Sequence, residues 1–205
     1  MQNERTKTRT KSLVAVVFAA VLALGLFAVA GCSSNNDEQV IRDGISKELD
    51  VFKNPTKENL APYMSAIDSS TQAQLDSYGV DIVEFLQHAL AKFDYEIGDI
   101  KVDGNKATAA IKVTNIDVSK IANDTMSNLQ DNPELVAKVQ DIVANGGTQK
   151  DAMKAVFEYL YQAFDAATET VTTETEITLI KTGNTWDVDQ DSMSDMLTGI
   201  YGNLA

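Results

Sequence analysis

Side chains that commonly do chemistry are scarce in this chain of 205 residues. It has one histidine, His88, and one cysteine, Cys32. A zinc site of the usual ligand types needs several such side chains, and a cysteine nucleophile needs a base beside it. His88 falls on a predicted helix between Glu84 and Lys92, on the face opposite the apolar stripe. We therefore expect an exposed His88 rather than a catalytic base.

Three aspartates near the C-terminus, Asp187, Asp189 and Asp191, have the alternate spacing of the first ligands of a calcium loop. The pattern then fails, because Ser192 stands where the loop needs glycine and Thr198 where it needs glutamate. These residues are a weak calcium candidate. The favoured interpretation is a strand end with acidic outward residues, followed by the negative first turn of a helix.

Two tyrosines of a predicted long helix, Tyr159 and Tyr161, are candidates for lining a ligand pocket. They lie at the two edges of an apolar stripe that includes Phe157 and Phe164. At such an edge a phenol can reach water or a bound group. Packing in the core explains these aromatic residues without a ligand and is the favoured interpretation.

The first 31 residues have the composition of an export signal. Basic residues precede an uncharged apolar run over 13–30, and small residues follow just before Cys32. The alternative is an uncleaved membrane helix, because 18 apolar residues are near the lower limit for crossing a bilayer. That alternative does not explain why the one cysteine stands directly after the small residues.

This junction, Val29-Ala30-Gly31-Cys32, resembles the lipobox of bacterial lipoproteins, in which an aliphatic residue and two small ones precede the cysteine. The resemblance implies that Cys32 carries covalent lipid, becomes the mature N-terminus and anchors the protein on the extracytoplasmic face of the cell membrane. We expect no other cofactor. The predicted division is a signal peptide over 1–31, a lipidated cysteine with a polar tether over 32–38, and one domain over 39–205.

Charge narrows the classes of partner. Residues 1–31 hold four of the 17 basic and one of the 30 acidic residues, so the rest is 13 basic against 29 acidic, a net charge near −16. Nucleic acid is excluded, because its phosphates need lysine and arginine partners. A membrane reached through the lipid, a small ligand or an envelope protein remain as partners. Because Cys32 is the only cysteine, no intrachain disulfide can form.

The predicted domain begins with three helices. Apolar residues at helical spacing predict a first helix that ends at Asn54-Pro55, with the stripe Ile41, Ile45, Leu49 and Phe52. Thr56 can cap a second helix, which Pro62 should interrupt. A third helix over 81–93 has the stripe Ile82, Leu86, Leu90 and Phe93.

Two hairpins follow, separated by a helical block over 118–169. The first turns at Asp103-Gly104-Asn105, and its alternation changes phase at Gly98, which indicates a bulge. In the block, Asn132-Pro133 starts a helix with the apolar face Leu135, Val139, Ile142 and Val143. Thr148 and Asp151 begin a longer helix that should bury Met153, Val156, Phe157, Leu160 and Phe164.

The second hairpin turns at Gly183-Asn184, and Ser192 can cap a last helix. Trp186 should be buried against the third helix. These elements predict an α+β fold, with a four-stranded antiparallel sheet from two hairpins and helices packed on one face.

The order of elements and the Trp186-x-Val188 ending of the last strand resemble the cystatin-like or NTF2-like domains of small Gram-positive lipoproteins of unknown function. We therefore expect a non-enzymatic lipoprotein that binds a small ligand or an envelope protein. A hydrolase or isomerase that uses a carboxylate in an NTF2-like pocket is the first alternative, and a structural spacer is the second.

Overall fold

A computed structural model describes residues 28–30, 37–65 and 67–202. The strands are β1 (Ala28–Ala30), β2 (Asp94–Asp103), β3 (Lys106–Asn115), β4 (Val171–Thr182) and β5 (Thr185–Val188). The helices are α1 (Asp37–Lys53), α2 (Lys57–Met64), α3 (Ser69–Tyr78), α4 (Ile82–Ala89), α5 (Val118–Ser127), α6 (Pro133–Ala144), α7 (Gln149–Ala166) and α8 (Gln190–Tyr201). None of these helices is long and apolar enough to cross a bilayer.

The sheet is antiparallel throughout, in the order β1-β5-β4-β3-β2. Two hairpins, β2–β3 and β4–β5, supply its four main strands, and β3 pairs with β4 at its centre. This confirms the predicted α+β fold. The short strand β1 adds a fifth member beside β5 and lies within the predicted signal peptide.

Buried and half-buried residues alternate along β3, and this pattern shows which face of the sheet the helices cover. Ala107, Ala109, Ile111 and Val113 are at most 1% exposed, whereas the residues between them are half-buried. Their partners across β4 include Ile177 and Leu179, which are also buried. Since side chains alternate between the two faces of a strand, the helices cover one face, as predicted, and the other is open.

The bulge predicted at Gly98 is present, because the register of β2 against β3 shifts between Ile97 and Ile100. Arg42 of α1 donates hydrogen bonds to the carbonyl oxygens of Ile97 at 2.8 Å and Gly98 at 2.9 Å. The bulge disrupts regular pairing with β3, so the guanidinium satisfies carbonyl groups at the outer edge of the sheet. Arg42 therefore joins α1 to β2.

Several helix starts are as predicted. Thr56 accepts a hydrogen bond from the backbone N–H of Asn59, and Asn132 caps α6 ahead of a proline. Thr148 and Asp151 form a reciprocal capping box at the start of α7. The last helix differs, because Asp189 rather than Ser192 is its N-cap. The side chain of Ser192 instead donates to the carbonyl oxygen of Asp189.

Two expectations for the helices between residues 57 and 93 were wrong, and one helix there was not predicted. Pro62 lies inside α2, an eight-residue helix that ends two residues later. An unpredicted helix, α3, follows it with Leu75 as its buried residue, so it shows little apolar periodicity. The helix predicted over 81–93 ends at Ala89, capped at its start by Asp81.

The helical block contains α5, α6 and α7 and ends at Ala166. Its burial differs from the predicted faces in two places. Val143 of α6 is 60% exposed, because α6 packs at the periphery against α7. On α7, Met153 and Val156 are only half-buried, while Tyr161 is buried.

Trp186 has no exposed surface, which confirms its predicted burial. The indole N–H faces Asp37 at the start of α1. The helix α1 begins at Asp37.

Candidate functional site

Cys32, the residue predicted to carry lipid, lies outside the described residues, and α1 begins five residues after it at Asp37. The Asp37 carboxylate accepts hydrogen bonds from Lys181 Nζ at 2.8 and 2.9 Å and from the Trp186 indole N–H at 3.4 Å. Lys181 Nζ also lies 5.2 Å from the centroid of the Trp186 ring. We call Asp37, Lys181 and Trp186 the anchor cluster, because they fix the start of α1 to the β4–β5 hairpin.

The anchor cluster is largely shielded from solvent. The side chains of Lys181 and Asp37 are 20% and 21% exposed. The pKa of Asp37 lies below its ordinary value, chiefly because Lys181 donates hydrogen bonds to the charged carboxylate. Partial burial opposes this shift, and the Trp186 indole N–H adds to it. The cluster therefore holds α1 most firmly when Asp37 is ionised.

Both hairpin turns lie beside the anchor cluster. The backbone N–H of Lys181 donates to the carbonyl oxygen of Asn105 at 2.8 Å, which places the β2–β3 turn next to the β4–β5 turn. Gly104 and Gly183 take positive φ values of 60° and 64° in these turns, a backbone conformation that glycine adopts without strain. We call this end of the sheet, residues 101–106 and 180–185, the tip.

The predicted lipobox overlaps β1. Ala28, Val29 and Ala30 pair with Asp187, Trp186 and Thr185 of β5. Cleavage after Gly31 would remove this strand and leave β5 as the edge of a four-stranded sheet. The predicted signal peptide and the tip are thus adjacent in the uncleaved chain.

His88 is not on a free solvent face, and that expectation was wrong. Its side chain is 30% exposed, its Nδ1 atom lies 2.8 Å from Asp165 Oδ1, and its ring stacks on Tyr161 with centroids 4.6 Å apart. Asp165 and Tyr161 belong to α7, which packs against α4. The histidine therefore joins two helices, and because Asp165 is 77 residues away along the chain, the sequence gave no sign of this contact.

The two tyrosines proposed for a ligand pocket have different surroundings. Tyr161 is 6% exposed and packs against the rings of Phe85 and Phe157. Burial raises its pKa, and the negative charges of Glu84 and Asp81 raise it further. Tyr159 is half-buried. Tyr161 is thus a core residue rather than the edge residue that the sequence predicted.

The three C-terminal aspartates lie on two different elements and the link between them. Asp189 caps α8 by accepting a hydrogen bond from the backbone N–H of Asp191 at 3.1 Å, and Asp187 belongs to β5. Within residues 28–30, 37–65 and 67–202, no group of three or more His, Cys, Asp or Glu side chains is placed to hold a metal ion. The calcium candidate thus has a helix-capping role for at least one of its members.

The core face of the sheet contains one buried amide. Asn115, at the end of β3, donates hydrogen bonds through Nδ2 to the carbonyl oxygens of Ala89 at 3.0 Å and Ile200 at 2.9 Å. It therefore joins the sheet to the ends of α4 and α8. With Ser119 and Thr125 it makes up the buried polar side chains of the described core.

The open face of the sheet is polar. Lys112 pairs with Glu96 at 3.0 Å, and the hydroxyl groups of Thr114 and Thr172 lie 2.9 Å apart. Both contacts join neighbouring strands across an exposed surface, where such pairs contribute little to stability. This face is accessible to a ligand or partner.

No protein family, curated protein or solved structure matches this chain. Sequence reasoning missed Asp37, Lys181 and Arg42 as positioning residues. A signal existed for Arg42, since it is the only arginine after Cys32. The Asp37–Lys181 pair joins residues 144 positions apart and had none.

Proposed function

We propose that this protein is a lipoprotein of the bacterial cell envelope, anchored to the extracytoplasmic face of the cell membrane by lipid on Cys32. The observation that carries the proposal is the sequence Val29-Ala30-Gly31-Cys32 after a basic and apolar leader. The lipid would be its only non-protein group. The role of the domain is to bind a small ligand or an envelope protein rather than to catalyse a reaction.

The short link between Cys32 and α1 supports the proposal that the N-terminus anchors the domain to the membrane. Five residues, fully extended, span at most about 18 Å, so the domain would stay close to the bilayer. The anchor cluster then fixes the start of α1 to the sheet. A domain held in this way would present its sheet and neighbouring helices to other envelope components.

Binding is favoured over hydrolysis or isomerisation by the chemistry of the buried polar groups. The side chains of Asn115, Ser119 and Thr125 do not ionise near neutral pH. A carboxylate acting as an acid or base in an NTF2-like pocket would need burial that raises its pKa. The carboxylates of Asp37, Asp68 and Asp94 have lowered pKa values instead, because hydrogen-bond donors stabilise their charge.

Processing of the leader tests the anchor. The full-length chain and its Cys32→Ala variant are expressed in a bacterium, and membranes are separated from soluble material. The wild-type chain should be membrane-bound and shorter than the precursor, whereas Cys32→Ala should keep precursor length. Ser33→Ala, one residue further on, is the matched control and should be processed normally. Normal processing of Cys32→Ala would contradict the proposal.

Crosslinking tests the binding role. A photo-crosslinking side chain replaces Glu176 on the open face of the sheet or Glu134 on the outer surface of α6, both exposed. In intact cells the Glu176 position should give a discrete adduct with an envelope component, and the Glu134 position should not. Absence of adducts from both positions would instead support the structural spacer.

A further inference from the structure

The start of α1 determines which end of the domain is nearest the anchor. Asp37 is fixed to Lys181, and the backbone of Lys181 contacts Asn105. The tip, with its two hairpin turns, therefore lies directly beside the point where the chain leaves toward Cys32. Since five extended residues span at most about 18 Å, a lipid on Cys32 would place the tip at the membrane surface.

The tip exposes two large hydrophobic side chains among its charged and polar turn residues. Four large hydrophobic side chains in the described residues are exposed, and two of them, Val102 and Ile180, belong to the tip at 40% each. The other two lie elsewhere, Val143 on α6 and Val171 at the opposite end of β4. Apolar side chains next to small turn residues can enter the headgroup region of a bilayer.

The tip is also the part of the domain that anionic lipid would not repel. The tip contains Lys101, Lys106, Lys181 and Asp103. Asp37 and Asp187 lie against it, so these three lysines and three aspartates balance in charge. The remaining chain after residue 31 has 10 basic against 26 acidic residues. An anionic membrane surface acts on charges within about one Debye length, roughly 10 Å at 0.1 M salt. Repulsion of the acidic body therefore favours the orientation in which the tip, whose lysines are balanced by Asp103 and by Asp37 and Asp187 beside it, faces the lipid.

We propose that the tip is a membrane-contact surface, which docks on phospholipid headgroups of the bilayer that holds the anchor. This inference rests on the proposed lipidation of Cys32. Val102 and Ile180 enter the interfacial region, and the ammonium groups of Lys101 and Lys106 lie among the lipid phosphates. The part of the open face beyond the tip then remains away from the bilayer surface, accessible to envelope components.

Lysine acetylation on intact spheroplasts tests the contact. The full-length chain is expressed, and its lysines are acetylated with a small reagent before and after detergent extraction of the membrane. Mass spectrometry of the digested protein measures modification at each lysine and, in the same sample, the mass of the N-terminal peptide. Lys57 at the start of α2 and Lys154 on α7, both exposed, are the controls.

Lys101 and Lys106 should be acetylated several-fold more slowly in the membrane than in detergent, with Lys57 and Lys154 unchanged. Equal reactivity at all four lysines with a lipidated Cys32 would overturn the contact surface and leave the anchor standing. Protection of Lys101 and Lys106 with an unmodified Cys32 would support the surface and overturn the lipid anchor.

Variants with added carboxylates test whether Val102 and Ile180 hold the tip at the membrane, or whether Lys101 and Lys106 are protected merely because the membrane is near. Val102→Glu with Ile180→Glu should remove the protection of Lys101 and Lys106, because carboxylates disfavour entry into an anionic interface. The matched control is Val143→Glu with Val171→Glu, in which Lys101 and Lys106 should stay protected. Tryptophan fluorescence verifies that both double variants are folded. Protection that survives in a folded Val102→Glu and Ile180→Glu protein would overturn the proposal.

Discussion

The guanidinium of Arg42 donates a hydrogen bond to the carbonyl oxygen of Gly98 at 2.9 Å, which joins α1 to the bulge in β2. A second bond reaches Ile97 at 2.8 Å. The bulge provides the acceptors and the helix provides a fork of two donors. One residue thus stabilises both the irregular strand and the position of the helix that begins at the anchor cluster.

Arg42→Ala should destabilise the domain. Hydrogen bonds to a charged group contribute about 1.5–3 kcal/mol, and solvent access to Arg42 places the expected loss at the lower end of that range. Urea unfolding followed by circular dichroism measures the change. Lys47→Ala, on an exposed position of the same helix, should change the unfolding free energy by less than about 0.5 kcal/mol. Equal effects of the two variants would show that the bulge does not need the guanidinium.

Trp186→Ala should be severely destabilising. Removing a fully buried tryptophan costs roughly 3–5 kcal/mol, against a total of about 5–15 kcal/mol for a domain. The melting temperature should fall markedly, or a large fraction of the molecules should unfold. His88→Ala should cost about 1 kcal/mol, because it loses one hydrogen bond and a ring stack at a half-buried position. Indole emission at the wavelength of water-exposed tryptophan in the folded wild-type protein would contradict the burial of Trp186.

The Asp37–Lys181 pair should make stability depend on pH in the acid range. Lys181 lowers the pKa of Asp37 from its ordinary value of 3.8. The stabilisation is fully present above pH 3.8 and is lost as the pH falls through the lowered pKa. Asp37→Asn should therefore lower the melting temperature at neutral pH, and the difference from wild type should shrink in acid.

Asp76→Asn, at an exposed position of α3, is the control for that experiment and should leave the melting temperature unchanged. Calorimetry over the acid range provides the comparison. A constant difference between wild type and Asp37→Asn at every pH would mean that the carboxylate charge does not stabilise the start of α1.

A chain that begins at Cys32 should keep the fold. The predicted signal peptide contains β1, which adds three residue pairs at one edge of the sheet. The four strands of the two hairpins, α1 and the buried Trp186 all lie after Cys32. Circular dichroism and tryptophan emission should match those of the full-length chain. Loss of cooperative unfolding in the shorter chain would show that residues 28–30 are part of the essential fold.

The structural features that were predicted correctly are those that depend on local periodicity and on the residues of turns and helix caps. The hairpins, the bulge at Gly98 and the capping box at Thr148 and Asp151 each need residues only a few positions apart. Their physical causes are glycine in turns, alternation along strands and side-chain caps. These elements were sufficient to predict the two hairpins, the helical block between them and the covered face of the sheet, whereas α3 and β1 were not predicted.

Local periodicity and turn residues could not predict contacts between residues that are far apart in the sequence. The ring of His88 stacks on Tyr161, and its partner Asp165 is 77 residues away along the chain. A helical wheel placed His88 opposite the apolar stripe of α4, but α7 covers part of that side as well. The same limitation hid the anchor cluster, since no periodicity relates Asp37 to Lys181.

Intact mass of the membrane-extracted protein tests lipid anchoring most directly. The full-length chain is expressed in a bacterium, extracted with detergent and measured without digestion. The predicted result is a chain that starts at Cys32 and is heavier than its residues alone by the mass of attached acyl groups. A chain that starts at Met1, or one with an unmodified Cys32, would contradict the account.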